Sequence, residues 1–388
     1  SSEMKAFMDL KSNDDLSVLF QHEISVLIKG RAGDSFDIYK NCPPLKYGLP
    51  ISNDADKGLS FQVFRRYQEQ LEASSQFDTD DVVISAIGQL DTPIWRRRRS
   101  REGYDFIAID ETHLFNINEL HVFHHFTRRT DFLPLSFTVD HAQAVGDRGW
   151  NDIDSFGELF GEVLVVDEEK TSVSAVFRSS PQIRDFCQSV LASGATLFTN
   201  FDDTLDSSTS AFTAEEERRS QPVRFIDYPD DASLIVGAFL KAEELQMETG
   251  SSRSQVLITT LDDGVLNSLH AHSVGNNKPV TYLKRRGDFR TVRSAEKSGH
   301  MVLGHADFVG GLEFDVVIVV GVDKGRVPQD GEAVAANTRS FASYAAHNRL
   351  YVAASRARFA LNLLGVKSRG PSSLLAVAAK NKLIDGIA

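Results

Sequence analysis

The sequence is poor in cysteine: Cys42 and Cys187 are the only two in 388 residues. Two isolated thiols make no disulfide framework and no zinc pattern, so a reducing cytoplasm is the expected setting. Long apolar runs are missing as well. None approaches the ~20 residues needed to cross a bilayer, and neither a membrane partner nor a secretory leader is expected. Positive charge is in short supply, with 42 Lys and Arg against 54 Asp and Glu, a net −12. A protein that coats nucleic acid by charge alone would be basic, because phosphate neutralisation supplies most non-specific affinity. Local basic runs remain at Arg96–Arg99 with Arg101, and at Lys284–Arg286; the plain reading of each is a solvated loop. The last absence is a phosphate loop. Such a loop reads G-x-x-x-x-G-K-[ST], because backbone N–H groups and one Lys must embrace the β- and γ-phosphates. The stretch "GRAGDSFD" at Gly30 has two glycines but no Lys-Ser/Thr.

What is present has an ordinary globular balance, 41% hydrophobic and 25% charged, over a length that suits two or three domains. The texture changes once. Up to about residue 95 it is helical: "DDLSVLFQHEISVLIKG" spaces its apolar residues for a helix, with Asp14 or Asp15 placed to cap it. "SFQVFRRYQEQLEASS" repeats the pattern after a Pro/Gly-rich connection. From Tyr104, "FIAID", "LSFTVD", "EVLVV", "SQVLITT", "HMVLGHADF" and "DVVIVVG" are predicted strands. "SSPQIRDFCQSVL" and "ASLIVGAFLKAEELQMETG" are predicted helices among them. Continuous Val/Ile runs between helices predict a parallel sheet covered on both faces. Residues 201–220 are polar and predict a surface loop.

Five stretches hold chemistry-bearing residues. "YDFIAIDETHLF" brings a hydrophobic strand to two adjacent acids, Asp110 and Glu111. An acid at a strand end can hold Mg²⁺ and a neighbouring Glu can polarise a water, although acidic pairs also cap helices. "LSFTVDHAQAV" follows a strand with Asp140 and Gln143, an amide able to donate and accept toward a phosphate or its water. Its plainer reading is a helix start capped by Asp140. "AVFRSSPQIRDF" puts Arg178 at a helix entrance, with Pro181 in the first turn and Ser179 or Ser180 as cap. Arg178 could pair with phosphate oxygens and Phe177 could stack on a base, or they could be a surface Arg beside a core Phe. "HADFVGGLEFDVVIVVG" sets Glu313 between Leu312 and Phe314, an odd place for an unpaired charge. "NRLYVAASRARFALNLLG" sets Arg356 and Arg358 in an Ala-rich helix leading to a final strand.

Taken in order, "AIDETHLF", "TVDHAQAV", "VFRSSPQI", "GGLEFDVVIV" and "RLYVAASRAR" resemble the later motifs of the UvrD-like superfamily 1 DNA helicases (the UvrD/Rep family), from roughly Asp14 to Leu375. The resemblance implies an α/β fold of RecA-like P-loop NTPase architecture. A helical 1B-like insertion would occupy 1–98, and the C-terminal part of an incomplete first RecA-like domain 99–170. A complete second RecA-like domain would occupy 171–388, its 2B insertion reduced or absent. ATP and Mg²⁺ are the implied cofactors, and single-stranded or partly duplex DNA the implied partner. By position, Asp110 and Glu111 would be the Walker B pair, for Mg²⁺ and for the attacking water. Gln143 would couple γ-phosphate sensing to DNA, and Arg178 and Arg356 would be arginine fingers. Phe177 would stack near the adenine, and Glu313 would approach the ribose. The chain has Val139, Gly310 and Thr112–His113 where the family usually has Gly, Lys and Ala-Gln. In the family the phosphate loop precedes the helical insertion. It is therefore expected before Ser1, on an upstream segment or another chain, and residues 1–388 alone are expected to be inactive on ATP. A helicase-like module that binds nucleic acid or a protein without catalysis is the other expectation.

Overall fold

Apolar residues at helical spacing fill the front of the chain with helices, and β-branched runs fill the back with parallel strands. The computed structural model describes residues 2–9, 13–45, 48–112, 115–130, 132–138, 175–176, 178–195, 209–210, 212–285, 288–328 and 346–387. They belong to two units, Ser1–Thr171 with Ala333–Phe341, and Ser172–Glu332 with Ala342–Ala388. The chain is mixed α/β with parallel sheets.

In the first unit the helices are α1 (Ser2–Asp9), α2 (Asn13–Glu23), α3 (Phe36–Asn41), α4 (Asp54–Ala73), α5 (Thr79–Leu90), α6 (Pro93–Glu102) and α7 (Ile117–His124). Helix α2 starts at Asn13, so Asp14 and Asp15 lie inside its first turn and not at the cap position expected for them. It continues as a π-helical stretch, Ile24–Lys29. Ile24, Leu27, Ile28, Tyr39 and Phe64 gather into one apolar cluster there, and Met4, Phe7, Leu19, Phe20 and Leu49 into another.

Lys29 closes the π-helical stretch and is fully buried. Its Nζ lies 2.7 Å from Asp78 and 2.6 Å from Asp81, the two acids that form the capping box of α5. Between them, Asp80 accepts from Ser25 at 2.6 Å and from Asn116, the N-cap of α7. Asn118 donates back to the Lys29 carbonyl at 2.6 Å. The helical front is thereby bonded to the segment that follows Asp110 and Glu111.

The Arg96–Arg99 run is helix, not the solvated loop of its plain reading. Thr92 caps α6 by accepting from the Trp95 N–H, and Pro93 opens its first turn. Arginine is a good helix former, so nothing in the run resists. Strands β1 (Ile107–Ile109) and β2 (Leu135–Phe137) pair in parallel, with Ile109 opposite Phe137. The expected strand "EVLVV" lies outside the described residues.

In the second unit a two-residue pair, β3 (Ala175–Val176) and β4 (Thr209–Ser210), accompanies a larger sheet. That sheet contains β5 (Arg224–Tyr228), β6 (Val256–Thr260), β7 (Val280–Tyr282), β8 (Met301–His305), β9 (Phe314–Val320) and β10 (Ala357–Val366). All six run parallel, in the order β5-β10-β9-β6-β8-β7. Every residue of β6 and β8 is buried. Because alternate strand residues face opposite ways, both faces of the sheet are covered there.

The helices of this unit among the described residues are α8 (Pro181–Ala195), α9 (Ala214–Arg219), α10 (Asp231–Glu248), α11 (Asp263–Gly275) and α12 (Phe289–Ser298), with a further helix over 346–354 and a last short one, Ala376–Lys380. Helices α10 and α11 place Leu234, Ala238, Phe239 and Leu269 in the core with Ile258, Leu303 and Ile318. The expected polar loop over 201–220 contains β4 and α9 instead. Thr213 and Glu216 make a reciprocal capping box for α9. Arg219 then lies over the Phe359 ring at 4.0 Å.

Candidate functional site

Asp110 follows β1 directly, and Thr138 follows β2. In a parallel pair, both residues stand at the carboxyl edge, where open α/β sheets accept ligands. The Thr138 hydroxyl donates to Asp110 Oδ1 and accepts from the Glu111 N–H at 2.9 Å. The same N–H donates to Asp110 Oδ1 at 3.0 Å. Glu111 is thereby held at φ +53°, in the left-handed region that costs a residue with a Cβ roughly 1–2 kcal/mol. Such strain persists only where neighbours over-determine it. The neighbours here are Thr138 and Thr112, whose N–H donates to the Thr138 carbonyl at 2.9 Å.

Asp110 is exposed, and no described residue engages its Oδ2. A hard cation that keeps most of its waters and takes one or two carboxylates fits that oxygen. Among the described residues no three His, Cys, Asp or Glu side chains converge to hold a metal by themselves.

The second cluster lies in the second unit, at the amino ends of β9 and β10. Ser180 caps α8 by accepting from the Ile183 N–H at 3.4 Å. Ser179 donates through its hydroxyl to the Ala357 carbonyl at 2.8 Å, and the Ser180 N–H donates to the Arg358 carbonyl at 3.1 Å. The entrance of α8 is thus bonded to the start of β10. From that entrance Arg178 Nε reaches Glu313 Oε1 at 2.6 Å, across 135 residues of chain. The position of Glu313 between buried Leu312 and Phe314 is resolved by its direction: the side chain is 58% exposed and paired.

Arg356, expected at a nucleotide, is fully buried. Its Nε donates to the Val352 carbonyl at 3.1 Å, Nη2 to the Ser355 hydroxyl at 3.1 Å, and Nη1 to the Leu312 carbonyl at 3.4 Å. Its own carbonyl accepts from the Phe314 N–H at 2.9 Å. Arg356 grips the backbone on both sides of Glu313 and turns that carboxylate outward. It is the peg of this cluster, and Arg178 is the guanidinium on the surface.

Of the predicted site residues, Arg178, Glu313 and Arg356 come together, and Asp110 and Glu111 stand side by side in the other unit. Gln143 and Phe177 lie outside the described residues, as do His113 and Val139. Thr138 escaped the sequence reading; of the two cap candidates, Ser180 is the cap and Ser179 bonds to Ala357 instead. Thr138 had a signal: it follows its strand as Asp110 follows β1, and adjacent parallel strands bring equivalent positions together.

No protein-family model matches the chain, and no curated protein matches it. Among solved structures, the C-terminal domain of a possible DNA helicase from Lactobacillus plantarum WCFS1 is similar over 54% of this chain and 96% of its own. The identity is 17% and the TM-score 0.36.

Proposed function

We propose that this chain contributes the Walker B acids and the second RecA-like domain of an ATP-dependent DNA helicase or translocase of superfamily 1. The observation that carries the reading is the meeting of three distant motifs. "FRSS", "GLEF" and "SRAR", far apart in sequence, interlock at one strand edge through Arg178–Glu313 and the Arg356 peg. Asp110 and Glu111 at a strand's carboxyl end support it from the other unit. In this reading Asp110 would hold Mg²⁺, which supplies charge neutralisation on the phosphates when bound. Glu111 would orient water, Gln143 would sense the γ-phosphate, and Phe177 and Glu313 would hold the nucleoside. Arg178 and Arg356 would stabilise the transferring phosphoryl group. A phosphate loop supplied by an upstream segment would complete the site, and residues 1–388 alone would turn over ATP negligibly.

One observation favours the second reading, a helicase-like module that binds nucleic acid or a protein without catalysis: Arg356 is sealed in, and a finger must reach its phosphate. Steady-state ATP hydrolysis separates the two. The protein joined to a phosphate loop should show turnover stimulated by single-stranded DNA, and Arg178→Ala should lower kcat by roughly 10³ or more. Absence of stimulated turnover in the joined protein would sink the catalytic reading.

A further inference from the structure

The two basic runs end differently. In the first unit, Arg96 pairs with Asp91 and Arg98 with Glu102. Arg99 donates to the carbonyls of His124, Thr127 and Arg129. Those three guanidinium groups are engaged within the fold, while Arg97 and Arg101 of the same run are exposed and in no ion pair among the described residues.

The second run precedes α12, and the cations of that helix stay outside. Arg290, Arg293 and Lys297 are exposed, and none is in an ion pair among the described residues. Spacings of three and four put them in one row on the helix, one cation per turn over about 10 Å. Phe289 heads the row with 56% of its surface exposed, and Arg285 is exposed beside it. Of the two acids in this stretch, Asp288 caps α12, accepting from the Thr291 N–H at 3.2 Å and hydroxyl at 2.7 Å, and Glu296 is exposed between Arg293 and Lys297. Arg285, Asp288, Phe289 and Arg290 line an open hollow of about 390 Å³. Between residues 284 and 298 the sequence holds six Lys and Arg against two acids, in a chain of net charge −12.

We propose that Phe289, Arg285, Arg290, Arg293 and Lys297 form a contact surface for single-stranded nucleic acid. A base stacks on Phe289 and the phosphates follow the row. An exposed ring heading a line of free cations suits a strand whose bases are unstacked, since every base has a face to offer and the backbone supplies the charge. A duplex hides those faces. An anionic membrane would need a broader apolar face than one ring supplies. The acidic remainder of the chain repels phosphate elsewhere and favours this surface. The ring also lies against the turn that leads to Glu313, where a Cβ on Gly311 would come within 3.8 Å of it. The choice of nucleic acid as partner rests on the helicase reading; the surface itself rests on α12.

Fluorescence anisotropy with labelled oligo-dT and oligo-rU, across a salt series, tests this on the 388-residue chain. Each phosphate contact to a single strand contributes about −0.7 to the slope of log K against log salt, so the R290Q/R293Q/K297Q variant should flatten it by about 2. F289A should lose about tenfold in affinity at every salt concentration with the slope unchanged. A slope is independent of the folded fraction, so partial misfolding cannot imitate the first result. Oligo-dT and oligo-rU separate DNA from RNA as the source of the strand. Should the wild type bind a strand and both variants bind equally well, the surface is overturned and the helicase reading stands. Should the wild type bind neither oligonucleotide, the surface falls and the DNA partner of the helicase reading falls with it. Co-sedimentation with phosphatidylserine vesicles is the remaining arm: vesicle binding lost in the triple variant, with strand binding intact, would assign the row to a membrane instead.

Discussion

Glu23 ends α2 with 1% of its surface exposed. Tyr39 donates to its Oε1 at 2.6 Å, and its Oε2 has no hydrogen-bond partner among the described residues. Burial pushes its pKa up to about 7, against the Tyr39 hydrogen bond and the charge of Lys57. A folded-state pKa above the unfolded value means that folding takes up a proton. This contribution to stability is complete below about pH 4.5 and is lost as pH rises through about 7, where the fold must bury a charge. At about 1.4 kcal/mol per pKa unit, the swing is about 3 kcal/mol. Glu23→Gln keeps an acceptor for Tyr39 and removes the charge. Urea unfolding at about pH 5 and about pH 8 should show the wild-type helical unit weakening between the two, and the variant weakening much less. Equal losses would mean that Glu23 does not ionise in this range. A carboxylate without a sequence partner gives no hint of this, because its burial comes from residues as distant as Tyr39 and Lys57. Arg356 was illegible for the same reason. Its residue type was read from the sequence, but its burial depends on the Leu312 carbonyl, 44 residues away. Asp110 and Glu111 were legible because a short apolar run fixes where a strand stops. The left-handed backbone at Glu111 was not, since Thr138 imposes it from the neighbouring strand.

Among the elements, those whose order is set by apolar continuity were read directly. β1, β2, β6 and β8 fall within predicted strands, β9 starts one residue before its predicted strand, and the final strand became β10. β5 and β7 were missed. "RFIDY" mixes charged residues into an edge strand, and "VTY" is three residues long. Helix α9 was missed because a polar hexapeptide has no periodicity, and only its Thr213–Glu216 capping box marks it. The network around Lys29 is the clearest case of elements held by charge. Burial pushes the Asp78 carboxyl up, yet the Lys29, Asp81 and Tyr67 hydrogen bonds hold it below the usual range. Lys29→Met would leave Asp78 and Asp81 facing one another without a cation, at a cost of about 3 kcal/mol. The urea midpoint of the helical unit should fall, and adding Asp78→Asn with Asp81→Asn should restore part of it. A single variant as stable as the wild type would show that the pairing of the π-helical stretch with α5 does not depend on this cation.

At the scale of the whole molecule, the second unit has the makings of independent stability. It contains all six strands of the larger sheet, and every residue of β6 and β8 is buried. Residues 172–388 expressed alone should unfold in one cooperative transition and keep a folded near-ultraviolet dichroism spectrum. A broad, non-cooperative melt would mean that the sheet leans on the rest of the chain.

The order of that sheet also sets a timetable. β10 is the last of its strands in chain order, yet it lies between β5 and β9. A ribosome making this chain delivers β5 and β9 before β10, and each waits with an open hydrogen-bonding edge until residues 357–366 emerge. Closure of this sheet therefore waits for its last strand, and the waiting edges are where a chaperone would be needed. A chain cut before residue 357 would leave β5 and β9 without the strand that joins them. Such a product would be cleared or would aggregate, and would not persist as a weaker copy of the whole.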